Sequence, residues 1–504
     1  MKTRTRRTTA LGGLVLALSA CAPLDPPEGG AGSRVATLGL EDRLLLVNRG
    51  PDRAALLDTT GTRARARVDF VDLPTHVIAV EARAGAAPAR EALLLSQGTP
   101  DARDQVAEAP SLFVIGADGA TRSYPLPAPY DTLTQAEDGR YALLHHSRNA
   151  GGDGLFNANE IALIDLDDEG ESAVQVKTLR SLDGSRPTTA VISPPVPIGG
   201  VDRRLVAVLF DRAVALFDAA RAGDLPEYTV ELSTDPTRTF SIGQALFSRR
   251  EARLYLRAQG VDDVFVLSAL PSPGGSQNDF VPNLNVLGVG GAPADLALFE
   301  DEGAERVLVA APGLSSLVVV DPDTNRSTRV PLPYSATQVH PFVGPSPRDA
   351  TEAPRAWLEA PGARQIVFVD LPRIDAEGAR NVEPLLLAQS PGSLLPLDDR
   401  LVLLPHAQTG FSLLDLHDRT VAAFQGPSLG DALADLPAGR LWVPAGGEVV
   451  GHLALDGLRV GTLRLDRPVG DLVRVPSATS PRLVVDHRGA AGEVTVIDAK
   501  DPRL

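Results

Sequence analysis

The chain has 504 residues, of which 43% are hydrophobic and 22% charged, and its formal net charge is −16 at pH 7. An acidic protein is repelled by phosphate backbones, so this charge argues against nucleic acid as a partner. One cysteine excludes an intramolecular disulfide and a thiolate metal cluster, so packing must hold the fold together. A chain of this length can bury enough apolar surface for that.

The first twenty residues have the organisation of an export signal. Residues 10–20 are small and apolar, and the segment before them is basic and has no acidic residue. At about 1.5 Å per helical residue, this run is too short to cross about 30 Å of hydrocarbon, so we expect a cleaved signal over residues 1–20. Its loss moves the formal charge to −20, because it removes four basic residues: Lys2, Arg4, Arg6 and Arg7.

The signal ends in Leu18-Ser19-Ala20-Cys21, which resembles the lipobox of bacterial lipoproteins. The resemblance implies cleavage before Cys21 and lipidation of its thiol, so that the partner of this residue is the lipid bilayer. An ordinary signal peptide with an unrelated cysteine is the alternative. Ala22 stands where some lipoproteins carry an Asp that retains them at the inner membrane. This favours an exported protein, lipid-anchored in the cell envelope at the outer membrane or cell surface.

Residues 21–33 follow as a lipidated cysteine and a flexible tether rich in Pro and Gly. From residue 34 to residue 504, an arginine followed by apolar residues recurs ten times, at spacings of 40 to 64 residues. Each arginine is accompanied by other short runs rich in Val and Leu, which predict about four strands per repeat. The arginines are Arg43, Arg90, Arg140, Arg204, Arg253, Arg306, Arg355, Arg400, Arg440 and Arg482.

Repeats of this size and strand content predict an all-β protein, a β-propeller of about ten four-stranded repeats. Eight repeats close their third strand with Asp, whose carboxylate is expected to accept a hydrogen bond from the backbone two residues on. The recurring arginine is expected to pair with a neighbouring carboxylate and so to hold adjacent blades together. The last repeat lacks a fourth strand. One large ring, one ring of seven or eight blades with surplus strands, and two smaller rings all remain open.

Residues 318–332 read VVVDPDTNRSTRVPL, in which an apolar strand, an acidic turn with Asn and a strand with Thr and Val follow one another. This order resembles the YVTN family of β-propeller repeats. The resemblance is one of pattern over most of the chain beyond the signal. It implies a surface setting and an interaction role.

Two segments between second and third strands are long, at residues 98–110 and 147–159. The second resembles an EF-hand-type calcium loop, with Asn149, Asp153, Asn157 and Glu160 at ligand positions. Asn149 replaces the usual Asp, Gly151 offers no side-chain oxygen, and strands flank the loop. A polar loop without an ion is the alternative. Calcium is the one cofactor that the sequence suggests.

Four histidines follow their repeat arginines by five or six residues and are expected near one face of the propeller. They are candidates for a binding face or, more remotely, for a metal site, and the alternative is a set of hydrogen-bonded turn histidines. The residues are His145, His146, His406 and His487.

No catalytic motif for a serine hydrolase, a zinc peptidase or a nucleotide-binding loop occurs. The leading hypothesis is therefore a membrane-anchored, non-enzymatic binding or scaffold platform for a protein, peptide or glycan. The alternative is a lactonase-like propeller hydrolase or lyase with a metal site at the channel mouth. Trp357 and Trp442 lie inside predicted second strands, where a core role is expected.

Overall fold

The computed structural model contains strands, turns and short 3-10 helices over the part of the chain that it describes. The 3-10 helices are Glu171–Ala173, Ala219–Arg221, Pro312–Leu314, Leu371–Arg373 and Leu436–Ala438. The described residues are 34–48, 53–60, 67–99, 108–147, 157–180, 186–235, 237–272, 280–301, 303–345, 352–360, 362–374, 381–392, 394–406, 410–425, 432–476, 481–487 and 494–502.

The strands form ten successive antiparallel sheets, here called blades 1 to 10, so the predicted all-β propeller fold class is confirmed. By its internal contacts the chain divides into two compact units. The first comprises Met1–Ser96, Phe113–Ser123 and Gln425–Leu504, and the second comprises Gln97–Leu112 and Tyr124–Phe424.

The first unit contains blades 1, 9 and 10 and most of blade 2. Blade 1 has strands β1 (Arg34–Leu40), β2 (Arg43–Asn48), β3 (Arg53–Asp58) and β4 (Val68–Asp72). Blade 2 has β5 (Val77–Ala82), β6 (Glu91–Ser96), β7 (Ser111–Gly116) and β8 (Thr121–Pro125). Blade 9 has β35 (Leu433–Asp435), β36 (Arg440–Pro444), β37 (Val449–Ala454) and β38 (Arg459–Arg464). Blade 10 has β39 (Val469–Val475), β40 (Arg482–His487) and β41 (Val494–Asp498).

The second unit contains blades 3 to 8. Blades 3 and 4 have strands β9 (Thr132–Gln135), β10 (Tyr141–His145), β11 (Glu160–Asp165), β12 (Val174–Thr178), β13 (Thr189–Ile192), β14 (Val196–Ile198), β15 (Val201–Arg203), β16 (Leu205–Leu209), β17 (Ala213–Asp218) and β18 (Tyr228–Glu231). Blades 5 and 6 have β19 (Ile242–Phe247), β20 (Arg253–Ala258), β21 (Val264–Pro271), β22 (Phe280–Leu287), β23 (Asp295–Asp301), β24 (Ala304–Ala311), β25 (Ser316–Asp321) and β26 (Arg326–Pro331). Blades 7 and 8 have β27 (Gln338–Pro345), β28 (Glu352–Glu359), β29 (Gln365–Asp370), β30 (Val382–Leu386), β31 (Leu395–Pro396), β32 (Leu401–Pro405), β33 (Phe411–Asp415) and β34 (Thr420–Phe424).

Within each unit, neighbouring blades pack face to face through the second and third strands, whose side chains are buried on both faces. This explains the continuous apolar runs in the sequence, since a strand between two packed sheets has no wet face. In the first unit, blade 10 packs on blade 1, where the ideal position of a Cβ at Gly39 lies 2.0 Å from the carbonyl oxygen of Arg474. Trp357 and Trp442 are 2% and 0% exposed, so their predicted core role is confirmed.

The predicted turn chemistry is confirmed at six of the eight third-strand Asp residues, whereas Asp370 at the end of β29 makes no such bond. The Oδ1 atom of Asp321 accepts hydrogen bonds from the backbone N–H groups of Asp323 at 2.9 Å and Thr324 at 3.1 Å. The same acceptance from the residue two positions on recurs at Asp58, Asp165, Asp218, Asp415 and Asp498. Each carboxylate thereby fixes the turn that follows the third strand.

Nine of the ten repeat arginines pair with carboxylates, but mostly within their own blade and not between blades as expected. Arg440 instead hydrogen-bonds His452 and the carbonyl oxygen of Lys500. Arg355 and Asp370 are cross-strand neighbours with an N–O distance of 2.6 Å, and Arg482 and Asp498 repeat the arrangement at 2.8 Å. Similar pairs join Arg140 to Asp165, Arg306 to Asp321 and Arg400 to Asp415. Pairs between neighbouring blades join Arg90 to Glu41, Arg204 to Asp138 and Arg253 to Asp323. The reason is register, because the antiparallel ladder sets Arg355 and Arg482 directly opposite their Asp, and sets Arg140 and Arg400 one residue from that position.

Two blades depart from the four-stranded plan. In blade 4 the hairpin β14–β15 is inserted between first and second strands, which accounts for the longest arginine spacing, from Arg140 to Arg204. Blade 10 has three strands among the residues that the structure describes, as the sequence predicted. The first strands of blades 1, 2, 5 and 10 each contain a register shift.

Candidate functional site

The first strands of blades 4 to 7 lie side by side in the second unit and line a cavity of about 690 Å³. We call it the first-strand pocket. Each of these is the edge strand of its sheet, so one of its two edges has no neighbouring strand in that sheet. The lining residues are Glu137, Val191, Ile192, Pro194, Ala245, Leu246, Phe247, Arg249, Arg250, Leu296, Ala297, Leu298, Phe299, Glu300, Glu305 and Pro341.

The wall of the pocket is apolar and partly exposed. Phe247 ends β19, and Phe299 lies in β23; both are half-buried, as are Ala245 and Ala297. Ala245 and Phe247 also pack against the core between blades 4 and 5, and Ala297 and Phe299 against the core between blades 6 and 7. Because the wall is built on hydrogen-bonded strands, its shape is fixed before any ligand binds.

Charged residues form the rim, and they are paired with one another. The guanidinium of Arg249 contacts the Glu137 carboxylate at 2.6 Å across two blades, and Arg250 contacts Glu300 at 2.8 Å. Both pairs are largely solvent-exposed. Exposed pairs contribute little stability, about 0–1 kcal/mol each, so they can exchange partners when a ligand approaches.

Glu305, the remaining rim carboxylate, is held by two hydroxyl groups. The Ser248 Oγ donates to it at 2.7 Å and the Tyr255 hydroxyl at 2.8 Å. Burial of the fully enclosed Tyr255 ring, and then the charge of Glu305, raise the pKa of the phenol far above its usual value. This phenol therefore stays protonated at neutral pH and acts as a hydrogen-bond donor.

The described residues include no group of three or more His, Cys, Asp or Glu side chains that could hold a metal ion. The metal-dependent hydrolase or lyase considered from the sequence stays a prediction. No helix in the described part of the chain is long and apolar enough to span a membrane.

The predicted calcium loop is only partly within the described residues, since Asn149 and Asp153 lie outside them. The Asn157 side chain accepts from the Asn159 backbone N–H at 3.2 Å and donates to the Thr178 hydroxyl at 3.2 Å. The Glu160 carboxylate accepts from the Tyr130 hydroxyl at 3.1 Å. Both described residues thus have protein partners, and calcium binding stays a prediction.

The histidines at the ends of second strands are buried, at most 6% exposed. His406 bonds through Nε2 to the Ser412 hydroxyl at 2.9 Å, and His487 bonds in the same way to the Thr495 hydroxyl at 2.7 Å. In both blades the hydroxyl is the second residue of the third strand, so the contact ties second strand to third.

His145 and His146 lie at the end of β10. The His145 Nδ1 atom is 3.2 Å from the His146 carbonyl oxygen, and the His146 ring is tilted against Tyr130 with ring centroids 4.9 Å apart. Burial lowers the pKa of both imidazoles. At neutral pH both are uncharged, and His146 packs beside Tyr130. Cys21 lies outside the described residues.

The first-strand pocket was not predicted from the sequence. One feature of the sequence could have indicated an apolar wall: residues 296–299, in the first strand of blade 6, are all apolar. The decisive contact, however, joins Arg249 to Glu137, which are 112 residues apart. Only the packing of blades brings such residues together.

No protein-family profile and no curated protein match the chain. Among solved structures, "Dihydro-heme d1 dehydrogenase NirN in complex with DHE" is similar at a TM-score of 0.42 and 11% identity, over 71% of this chain and 72% of that one. "Crystal structure of the eukaryotic initiation factor" gives 0.43 and 11%, over 82% and 93%. The computationally designed Ika8 protein gives 0.36 and 13%, over 79% and 98%.

Proposed function

We propose that the chain is a lipid-anchored protein of the bacterial cell envelope whose β-propeller is a non-enzymatic binding platform for a segment of a partner protein. The first-strand pocket carries this proposal. Its volume of about 690 Å³ is in the range of ligand-binding cavities. An apolar wall with a charged rim is the usual composition of a protein-binding surface.

The chemistry of the pocket favours apolar side chains over a glycan. Sugar hydroxyls require hydrogen-bonding groups along the wall, but Phe247, Phe299, Ala245 and Ala297 offer none. Polar groups are confined to the rim, where Arg249 is paired with Glu137. A partner's apolar side chains would leave water on entering the pocket, which stabilises a complex by roughly 25 cal/mol per Å² of apolar surface buried.

Site-specific photo-crosslinking in intact cells tests the platform. A photo-reactive phenylalanine analogue replaces Phe247 in the pocket and, as a matched control, Leu386, which is 76% exposed on β30 of the same unit. The expected result is one reproducible protein adduct from position 247 that is absent from position 386. Identical adducts from both positions, or none from 247, would contradict the proposal.

An Ala245→Asp variant provides the quantitative arm. A charge on the apolar wall must be desolvated when the partner binds, at a cost of at least about 1.4 kcal/mol, or tenfold in affinity. Leu386→Asp, in an exposed outer position, is the control and should bind the crosslinked partner as the wild type does. Equal binding by the two variants would show that the partner does not use the pocket.

The anchor is proposed from Cys21 and the signal before it. Cells grown with labelled palmitate should yield a labelled chain in the membrane fraction, and Cys21→Ser should abolish both the label and the sedimentation with membranes. Retention of label in Cys21→Ser would refute lipidation at this residue. The result does not bear on the pocket, which is tested separately.

A further inference from the structure

A second cavity, of about 490 Å³, lies at the beginning of the first strands of blades 5, 6 and 7 in the second unit. It shares no lining residue with the first-strand pocket. Its walls are mainly polar, in contrast to that pocket. The residues that matter below are Gly243, Gln244, Arg257, Asp295, Thr337 and His340.

Arg257 is seated on a glycine and has no carboxylate partner among the described residues. Gly243 is the extra residue of a bulge in β19, between Ile242 and Gln244. An ideal Cβ at Gly243 would lie 2.6 Å from Arg257 Nη2, so an alanine there would displace the guanidinium from this position. The guanidinium donates one long hydrogen bond, from Nε to Gln244 Oε1 at 3.4 Å. Most of its five N–H donors thus remain available.

Asp295 lines the same cavity and also has unused capacity. Its Oδ2 atom accepts one hydrogen bond, from the Val339 backbone N–H at 2.9 Å. Within the described part of the chain, no ion pair joins Asp295 to Arg257 or to another cation. One cavity therefore contains a cation and an anion that do not contact each other. A ligand that carries both charges could bind between them.

Two further polar atoms in this region are buried without a hydrogen-bond partner among the described residues, Thr337 Oγ1 and His340 Nε2. The His340 ring is stacked on Trp357 with centroids 3.9 Å apart, so its position is fixed. Its Nε2 atom is 3.7 Å from Glu359 Oε1, beyond hydrogen-bonding distance. Buried polar atoms in proteins are usually satisfied, so these two atoms add hydrogen-bonding capacity to the polar wall of the cavity.

We propose that this cavity binds a small zwitterion of the α-amino acid class, with its carboxylate on Arg257 and its ammonium group on Asp295. A planar carboxylate matches the guanidinium fork in a bidentate pair, and the ammonium group supplies the donors that Asp295 can accept. Thr337 and His340 hydrogen-bond the carboxylate edge or a polar side chain. The proposal is independent of the partner-binding function of the first-strand pocket.

Isothermal titration calorimetry of the purified chain tests the assignment with four probes. Glycine and L-glutamine carry both charges, acetate carries the carboxylate alone, and methylammonium the cation alone. At least one zwitterion is expected to bind ten times more tightly than either half. Arg257→Gln and Asp295→Asn should each weaken that binding at least tenfold, or about 1.4 kcal/mol. Arg250→Gln, on the rim of the first-strand pocket, is the control and should bind as the wild type does.

Gly243→Ala supplies a variant with unchanged charge. Its methyl group would displace the guanidinium, so binding should fall as in Arg257→Gln while the thermal transition shows that the chain is folded. The proposal is overturned if neither zwitterion binds with a dissociation constant below about 10 mM. It is also overturned if acetate binds as tightly as the zwitterions, or if Arg257→Gln leaves their affinity unchanged.

Discussion

The buried ion pair between Lys177 in β12 and Glu227 just before β18 should be one of the most sensitive points of the second unit. Their side chains are 8% and 2% exposed, and Lys177 Nζ is 3.2 Å from Glu227 Oε2. The ammonium group also donates to the carbonyl oxygens of Ala222 and Leu225, at 3.3 and 2.6 Å. The Arg180 backbone N–H donates to the carboxylate at 2.6 Å. The pair thus ties the outer strands of blades 3 and 4 together.

Lys177→Met should reduce the free energy of unfolding by about 3–5 kcal/mol, because it leaves Glu227 buried without its cation. Adding Glu227→Gln removes the stranded charge while keeping an acceptor for the Arg180 N–H, so the double variant should regain about 2 kcal/mol or more. Arg249→Met is the matched control in the same unit. Its pair with Glu137 is 76% and 65% exposed, and its loss should cost about 1 kcal/mol at most.

Urea unfolding followed by circular dichroism measures these differences at pH 7 and again at acid pH. Burial alone would raise the pKa of Glu227, but hydrogen bonds from the Arg180 N–H and Lys177, and the charge of Lys177, outweigh it and leave the pKa lowered. Stability from this carboxylate is therefore present above its ordinary pKa and lost as the pH falls through the lowered value. The gap between wild type and Lys177→Met should narrow in acid. A single variant no less stable than Arg249→Met, or a double variant no better than the single, would refute the reasoning.

Three other expectations concern positions in both units. Gly39→Ala should lower stability by roughly 1–3 kcal/mol in thermal unfolding, because its methyl group meets a backbone carbonyl, whereas Gly288→Ala, with no atom within 4 Å, should change it by less than about 1 kcal/mol. Tyr255→Phe should cost about 1.5–3 kcal/mol through the lost bond to Glu305, and should leave the phenolate absorbance at 295 nm unchanged up to pH 11, because Tyr255 is not ionised there. Burial raises the pKa of Asp435, so the protonated side chain contributes stability at low pH, and this stability is lost as the pH rises and the buried carboxyl ionises. The melting temperature of Asp435→Asn minus that of the wild type should therefore increase between pH 4 and pH 7.

The repeat architecture could be predicted from the sequence because its determinants are local. An arginine, an apolar run and a closing Asp each act within one hairpin, and the contact from Asp321 to Asp323 spans two residues. The partner of the arginine was harder to predict. Whether it pairs within the blade, as Arg355 does, or with the preceding blade, as Arg204 does, depends on side-chain placement that the pattern does not encode.

The two cavities could not be predicted, because each is assembled from side chains of several blades. Gly243 is an unremarkable glycine in the sequence, and its role is visible only when the Arg257 guanidinium lies on it. The pair of Lys177 and Glu227 has no sequence signal either, as its members are 50 residues apart, one in the outer strand of blade 3 and one just before the outer strand of blade 4. Histidines attracted attention in the sequence, yet His406 and His487 hydrogen-bond within their own blades.

The closed pair of Arg482 and Asp498 within one blade has a consequence for how such a chain can change over generations. A blade that satisfies its own arginine and its own turn can be duplicated, deleted or lengthened by recombination without stranding a charge in its neighbour. The hairpin β14–β15 is such a lengthening, accommodated between two strands of blade 4 while the sheet around it stays intact. The number and the length of the repeats can therefore change during evolution. Pairs between blades, such as Arg204 with Asp138, restrict which repeats can follow one another.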